Sequence, residues 1–214
     1  MGEFAVMLKK EKFCSVDLDL VRMRGWRRDS YFDSYSNHWI PASPNIPTVH
    51  SAVVYPGMCF LEGTNLSEGR GTTRPFEVFG APFVDPNMLA KRLSDFALDG
   101  IQFRPTFFKP TFDKFKGKVC GGCFLHVLDR KRFKPVRAAI MILRAVKELY
   151  PKQFGWYLGA YEYERKIPAI DLLYGSDALR KAIDSGTSLD ALFHQCEAEE
   201  QQFARRAKSW WLYR

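Results

Sequence analysis

Apolar residues recur along this chain with two spacings, which separate predicted helices from predicted strands. Helical spacing and cap signals predict helices at the following positions: residues 2–12, 86–96, 136–149, 176–183 and from 188 towards 210. Alternation and short apolar runs predict strands at the following positions: residues 16–23, 58–62, 76–80, 101–108 and 119–128. The mixture of helices and strands predicts an α/β to α+β fold with a small antiparallel or mixed sheet in its second region.

Capping residues mark the ends of several predicted helices. Asp85 followed by Pro86 predicts a helix start, since aspartate accepts from orphan backbone N–H groups and proline suits the first turn. Pro135 opens the next long helix in the same way. Gly186 is expected to close a short helix, and Ser188 to cap the last one.

The chain divides near residue 48 into two predicted parts. Residues 2–12 and 16–23 read as a helix followed by a strand, which is a fragment of an α/β unit rather than a whole one. Residues 25–47 are rich in Trp, Tyr, Ser, Asn and Pro and predict an irregular connector. The opening residues 1–8 read as a helix without a cap, so we expect a chain cut inside a domain.

Composition favours a packed globular protein and leaves few partner classes open. Hydrophobic residues make up 46% of the 214 residues, aromatic residues 15%, and the formal charge is +8. The basic residues are spread along the chain without a long run or a nucleic-acid motif, so we predict no nucleic-acid partner. No apolar run approaches the roughly 20 residues of a membrane span, and no signal peptide is visible.

The five cysteines do not predict a disulfide framework or a metal site. Their number is odd, and Cys120-Gly-Gly-Cys123 is the lone C-x-x-C, without a histidine pair at zinc-ligand spacing. In a strand, positions 120 and 123 point to opposite faces. Most of Cys14, Cys59, Cys120, Cys123 and Cys196 have apolar surroundings; Cys120 and Cys123 are therefore interpreted as core thiols, and neither a metal nor a cofactor is predicted.

The polar segment 62–76 is the best candidate for chemistry. It holds two carboxylates, two guanidiniums, four hydroxyls, an amide and three glycines between two apolar stretches. Arg70 and Arg74 are suited to hold a carboxylate with two hydrogen bonds, and Glu62 or Glu68 to accept sugar hydroxyls or transfer a proton. The alternative is a structural turn in which Arg70 pairs with one of these glutamates. The segment is neither a P-loop nor a dinucleotide fingerprint.

Other polar residues favour structural roles. His126 lies in an alternating strand and either reaches a cleft or makes a structural hydrogen bond. Asp171 is expected to cap a helix rather than act in catalysis. Trp210, Trp211 and Tyr213 are expected to dock the last helix, with a subunit contact as the alternative.

Long colinear motifs make the chain resemble one family. The motifs are Trp39 to Thr48, Tyr55-Pro56-Gly57, Glu62 to Phe76, Gly80 to Asp85, Phe103-Arg104-Pro105, Lys116-Gly117, Cys120-Gly-Gly, His126, Tyr150-Pro151, Asp171 to Gly175 and Tyr213. In this order they resemble the NamZ-type peptidoglycan exo-β-N-acetylmuramidases, over essentially the whole chain.

The resemblance implies a domain division and a function. Residues 1–48 would be the end of a Rossmann-like N-terminal domain and its connector, and residues 49–214 the C-terminal domain. The family removes N-acetylmuramic acid from the non-reducing end of peptidoglycan fragments in cell-wall turnover. Its proposed catalytic Glu and His are expected upstream of this chain, so the isolated chain is expected to be inactive.

Site residues and partners also follow from the resemblance. Those expected near the sugar are Glu62, Asn65, Glu68, Arg70 and Thr72, with Glu62 and Glu68 as candidates for one of the two acidic groups that flank a scissile glycosidic bond. The implied partners are a muropeptide or a disaccharide of N-acetylmuramic acid and N-acetylglucosamine, together with the missing N-terminal lobe. The alternative function is a non-catalytic carbohydrate-binding or interaction module. The compartment stays open, although the family is often exported.

Overall fold

The structure, a computed structural model, describes residues 1–11, 16–35 and 38–213. Within these residues the α-helices are α1 (Gly2–Glu11), α2 (Val49–Met58), α3 (Pro86–Ser94), α4 (Pro135–Leu149), α5 (Ala169–Tyr174), α6 (Ala178–Ser185) and α7 (Asp190–Ala207). Short 3₁₀ helices cover Phe32–Ser34, Cys59–Gly63 and Lys208–Trp210, and the strands are β1 (Val78–Ala81), β2 (Ile101–Phe108) and β3 (Cys120–Val127). None of the helices described is long and apolar enough to cross a membrane.

The strands form one antiparallel sheet in the order β1-β3-β2. Alternation gives the sheet two faces, which we call inner and outer. The inner face carries Phe79, Phe103, Cys123 and Leu125, all buried, and packs against α3. The outer face carries Val78, Arg104, Phe124 and His126, and the segment with the candidate chemistry pairs with the edge of β1 at Gly80.

Glycines allow the close approach of β1 and β3. A Cβ atom on Gly122 would lie 1.8 Å from the carbonyl oxygen of Phe79, and one on Gly121 would lie 2.2 Å from that of Val84. The Cys-Gly-Gly-Cys sequence is therefore explained by sheet packing, and Cys120 and Cys123 are fully buried as predicted. No group of three or more metal-ligating side chains occurs in the part of the chain that the structure describes. Cys14 lies outside the described residues.

Helix α4 forms the centre of the helical core because its apolar residues recur at helical spacing. Ile140, Leu143 and Val146 are fully buried. Helix α2 packs against the start of α4, where a Cβ on Gly57 would lie 2.0 Å from the carbonyl oxygen of Pro135. The predicted caps at Asp85, with Pro86 following, and at Gly186 are confirmed: the Asp85 carboxylate accepts from the backbone of Asn87 and Met88, and Gly186 has a φ of 69°.

Several predicted features are wrong. Residues 16–23 form no strand, although they alternate. Residues 58–62 end α2 and enter a 3₁₀ helix instead of forming a strand, because Thr48 caps a helix that continues through Pro56. Leu189, not Ser188, occupies the N-cap of α7.

Asp171 is not the helix cap that the sequence suggested. It lies within α5, whose N-cap is Pro168. Its buried carboxylate binds Arg180 through both Nε and Nη2, the shortest contact being 2.7 Å. The residue therefore joins α5 to α6 by a charge-assisted pair.

The chain separates into two compact units, residues 1–38 with 189–214 and residues 39–188. In the first, the Glu3 carboxylate binds Arg28 and accepts from the backbone nitrogens of Leu212 and Tyr213. Arg28 also lies over the ring of Trp211, at 4.3 Å. The second holds the sheet and α2 to α6. The α+β class and small antiparallel sheet agree with the sequence, whereas the predicted domain boundary at residue 48 stays a prediction.

Candidate functional site

The segment 62–76 folds back on itself along the edge of β1 that does not pair with β3. Ser67 and Gly80 exchange two backbone hydrogen bonds, of 2.8 and 3.0 Å, and the Phe76 nitrogen donates to the Glu68 carbonyl at 2.7 Å. Gly69 has a φ of 81°, and a Cβ there would lie 2.4 Å from the Val78 carbonyl oxygen. Only glycine fits both the left-handed conformation and the close contact.

Arg70 links the two candidate glutamates. Its Nη2 donates to Oε1 of Glu62 at 2.8 Å, and its Nε lies 3.2 Å from Oε1 of Glu68. The guanidinium also lies 5.5 Å from the ring centroid of Phe76. Arg70 therefore pairs with both glutamates, as in the alternative prediction of a structural turn.

Lys114 lies beneath this pair and was not predicted. Its Nζ donates to Oε2 of Glu68 at 3.1 Å and to the carbonyl oxygens of Leu61 and Leu66 at 2.9 and 3.0 Å. The residue comes from the connection between β2 and β3, which Thr111 fixes to the Gly71 carbonyl by its nitrogen and its hydroxyl. With a longer contact of 3.4 Å to the Glu62 carbonyl, the ammonium meets four acceptors and ties the connection to the polar segment.

Tyr161 completes the group that we call the carboxylate cluster: Glu62, Glu68, Arg70, Lys114 and Tyr161. The Tyr161 hydroxyl donates to Oε2 of Glu62 at 2.8 Å. Burial, together with the hydrogen bond to Glu62, raises the pKa of Tyr161 well above its ordinary value. The hydroxyl is therefore protonated at neutral pH and acts as a donor.

Burial distinguishes the two glutamates. The side chain of Glu68 is only 2% exposed and that of Glu62 is 13% exposed, whereas Arg70 is 29% exposed. Burial raises the pKa of the Glu68 carboxyl, and the Lys114 ammonium acts against this shift. Glu68 is thus buried and holds Arg70 and Lys114 in place, while Glu62 and Arg70 reach solvent.

A thiol borders the cluster. Burial, with a smaller contribution from the Glu62 charge, raises the pKa of Cys59 to about 11. Cys59 is therefore a neutral thiol at physiological pH and a poor nucleophile.

The structure uses Asn65 and Thr72 in local hydrogen bonds. The Asn65 amide donates to the Gln153 carbonyl at 2.7 Å and accepts from the Gly155 nitrogen at 3.0 Å. The Thr72 hydroxyl donates to the Gly69 carbonyl and accepts from the Arg74 nitrogen. Of the five residues expected near the sugar, Glu62, Glu68 and Arg70 are brought together, and the sugar-binding role of the whole set stays a prediction.

Arg74 does not join the cluster's ion pairs. Its Nη1 lies 3.7 Å from the Glu77 carboxylate, which also accepts from the hydroxyls of Thr48 and Ser51. This carboxylate therefore connects the start of α2 to the polar segment.

Comparison with known proteins assigns the chain to one family. Residues 53–213 match the family described as exo-beta-N-acetylmuramidase NamZ, C-terminal, and residues 1–50 match its N-terminal counterpart. The chain belongs to the NamZ exo-β-N-acetylmuramidase family, as the sequence motifs predicted.

Individual relatives agree with this assignment. The peptidoglycan beta-N-acetylmuramidase NamZ of Bacillus subtilis (strain 168) is 37% identical over 213 residues, which cover all of this chain and 50% of that protein. A DUF1343 family protein from Bacteroides fragilis NCTC 9343 matches the whole chain with a TM-score of 0.87 and 30% identity, over 56% of its own length. A second one from that organism, with a TM-score of 0.65, 23% identity and 55% of its length covered, supports the fold alone. The chain spans about half the length of these proteins.

Proposed function

We propose that this chain forms part of a glycoside hydrolase that releases N-acetylmuramic acid from the non-reducing end of peptidoglycan fragments. The observation that carries the proposal is the 37% identity to the Bacillus subtilis peptidoglycan beta-N-acetylmuramidase along the entire chain. The position of Glu62 and Arg70, two charged groups that reach solvent on the folded polar segment, supports a sugar-binding role for this surface.

Within this proposal the cluster binds and orients the sugar. Both carboxylates are already engaged: Glu62 binds Arg70 and accepts from the Tyr161 hydroxyl, and Glu68, only 2% exposed, is held by Lys114 and Arg70. A carboxylate with a neighbouring guanidinium suits hydroxyl and amide groups of a saccharide. We therefore assign the proton-transfer steps to groups outside the cluster, and the domain division at residue 48 belongs to the same proposal.

The test is hydrolysis of a chromogenic N-acetylmuramic acid glycoside. The chain alone is compared with a chimaera that joins it to the part of the Bacillus subtilis relative that it does not span. Turnover by the chimaera, lowered by Arg70→Gln in the same protein, would support the proposal. Absence of turnover by a folded chimaera would contradict it.

A non-catalytic carbohydrate-binding module is the second candidate. The observation that favours it is the pairing of every carboxylate in the cluster, which leaves the chain's own polar segment without an unpaired acid. Saccharide binding by the chain without turnover by the chimaera would select this function.

A further inference from the structure

A second basic feature lies on the outer face of the sheet, at Arg104 in strand β2. Its guanidinium lies 5.4 Å from the ring centroid of Phe124, and its Nε donates to Nε2 of His126 at 3.2 Å. The rings of Phe124 and His126 themselves lie 4.6 Å apart. Two contacts therefore orient an exposed arginine that would otherwise sample many rotamers.

This guanidinium has no carboxylate partner within residues 1–11, 16–35 and 38–213, whereas Arg92 and Arg180 each bind one and Arg70 binds two. Because Nε is used by His126, the two terminal amino groups remain for a ligand. An arginine with both of these groups available matches the geometry of a carboxylate.

The position of Arg104 connects it to the polar segment. In the sheet register Arg104 lies opposite Phe124, which lies opposite Val78 on the other side. A Cβ on Gly69 would lie 2.7 Å from Cγ2 of Val78, so the polar segment, which pairs with the edge of β1, reaches this face at Gly69. Two strand spacings place the Arg104 backbone roughly 10 Å from that of Val78, which the polar segment contacts.

We propose that Arg104, supported by Phe124 and His126, binds the carboxylate of the substrate's muramic acid unit. This inference rests on the proposed function and adds a specificity-determining residue to it. N-acetylmuramic acid differs from N-acetylglucosamine by a lactyl ether that carries a carboxylate. A charge-assisted pair with that carboxylate would favour the first sugar over the second.

The experiment measures binding of N-acetylmuramic acid and N-acetylglucosamine to the full chain by calorimetry. The wild-type chain is expected to bind the acid about tenfold more tightly or better, and Arg104→Gln to remove that preference. Arg104→Lys keeps the positive charge but loses the planar guanidinium, so this variant should retain only part of the preference for N-acetylmuramic acid. Arg92→Gln is the matched control, because Arg92 also stacks on a phenylalanine but is already paired with Glu148.

The outcomes separate this inference from the proposed function. If Arg104→Gln binds sugar and keeps the preference, the inference is wrong while the proposed function stands. If the wild-type chain binds neither sugar, the proposed sugar binding by this chain is wrong. Lactate, which carries the same carboxylate as the lactyl ether, is then used to test Arg104 separately. Saturable changes of the His126 ring signals with lactate, absent in Arg104→Gln, would support the site, and their absence in the wild type would overturn it.

Discussion

Lys114 is the residue on which the buried half of the carboxylate cluster depends. Glu68 is almost completely covered, and Lys114 is one of the two cations that approach it. Burying a carboxylate is costly unless a cation and hydrogen bonds compensate it. The basic side chain therefore stabilises the fold of the segment that we propose to bind sugar.

Lys114→Met removes this compensation while it keeps most of the apolar stem. We expect the free energy of unfolding to fall by about 3 kcal/mol, because Glu68 and three carbonyl groups lose a donor. Urea denaturation measures the change, with the exposed Lys116→Met in the same connection as control. The double variant with Glu68→Gln should recover part of the loss, and equal effects of the two lysine substitutions would contradict the prediction.

Tyr161 allows a second test, in which a single hydroxyl oxygen is removed. Tyr161→Phe deletes the hydroxyl that donates to Glu62, and should lower the free energy of unfolding by about 1 kcal/mol. Tyr163→Phe, two residues away at a fully exposed position, should change it by less than about 0.5 kcal/mol. A thermal unfolding series compares the two variants, and indistinguishable midpoints would show that the Glu62 contact contributes nothing.

The sequence predicted part of this site and missed the rest for a definable reason. Glu62, Glu68 and Arg70 occur within nine residues, so local composition pointed to them. Lys114 and Tyr161 approach from 46 and 99 residues away, and no periodicity connects such positions. Lys114 is positioned by the fold of the connection between β2 and β3, and Tyr161 by that of the segment between α4 and α5.

At the scale of elements, prediction succeeded where a cap and a periodic stripe coincide. Helices α3 and α4 begin at Pro86 and Pro135, as expected, because proline at the first turn fixes the start. Residues 58–62 were misread because five apolar residues fit a buried strand or a helix equally well. Alternation at 16–23 did not produce a strand, since a strand also needs a neighbour for its backbone hydrogen bonds.

The pairing of α3 with α4 gives a pH-dependent prediction. Glu148 in α4 binds Arg92 in α3 and Arg144 in its own helix. Burial acts in the opposite direction, but hydrogen bonds from Arg144 and Arg92 prevail and lower the pKa of Glu148. A lowered pKa contributes stability above the pKa of the unfolded chain, and this contribution is lost as pH falls through the folded value.

Glu148→Gln should therefore lower the free energy of unfolding at pH 7 by about 1 kcal/mol or less, since these side chains are partly exposed. The difference from the wild type should shrink as pH falls below the ordinary value of 4.5. Denaturation at pH 7 and pH 3 measures it, with Glu200→Gln as an exposed control. A difference that grows towards acid would contradict the assignment.

At the scale of the whole molecule, the first unit brings together parts of the chain that are distant in sequence. Glu3 holds the backbone of Leu212 and Tyr213, more than 200 residues further on, and Tyr213 in turn accepts from the nitrogen of Met23. Local sequence patterns cannot reveal a contact between residues so far apart in the chain. The sequence did predict that Trp210, Trp211 and Tyr213 dock the last helix.

Glu3→Gln should open this unit locally. A neutral amide loses the ion pair with Arg28 and accepts more weakly from the two backbone nitrogens. Hydrogen exchange should accelerate in residues 2–11 and 208–213, with the amides of α4 as an internal reference. The matched control is Glu11→Gln, whose longer, more exposed pair with Arg206 should matter little. Equal exchange in both variants would refute the role of Glu3.

The close contact at Gly71 limits which substitutions this protein can tolerate. A Cβ at position 71 would lie 2.7 Å from both the nitrogen and the carbonyl oxygen of Phe112, in the connection that delivers Lys114. Any larger residue must push that connection away, and the countercharge of Glu68 moves with it. A substitution at Gly71, which has no functional group of its own, would therefore remove Lys114 from Glu68. A mutant library built to alter sugar preference should leave position 71 unchanged.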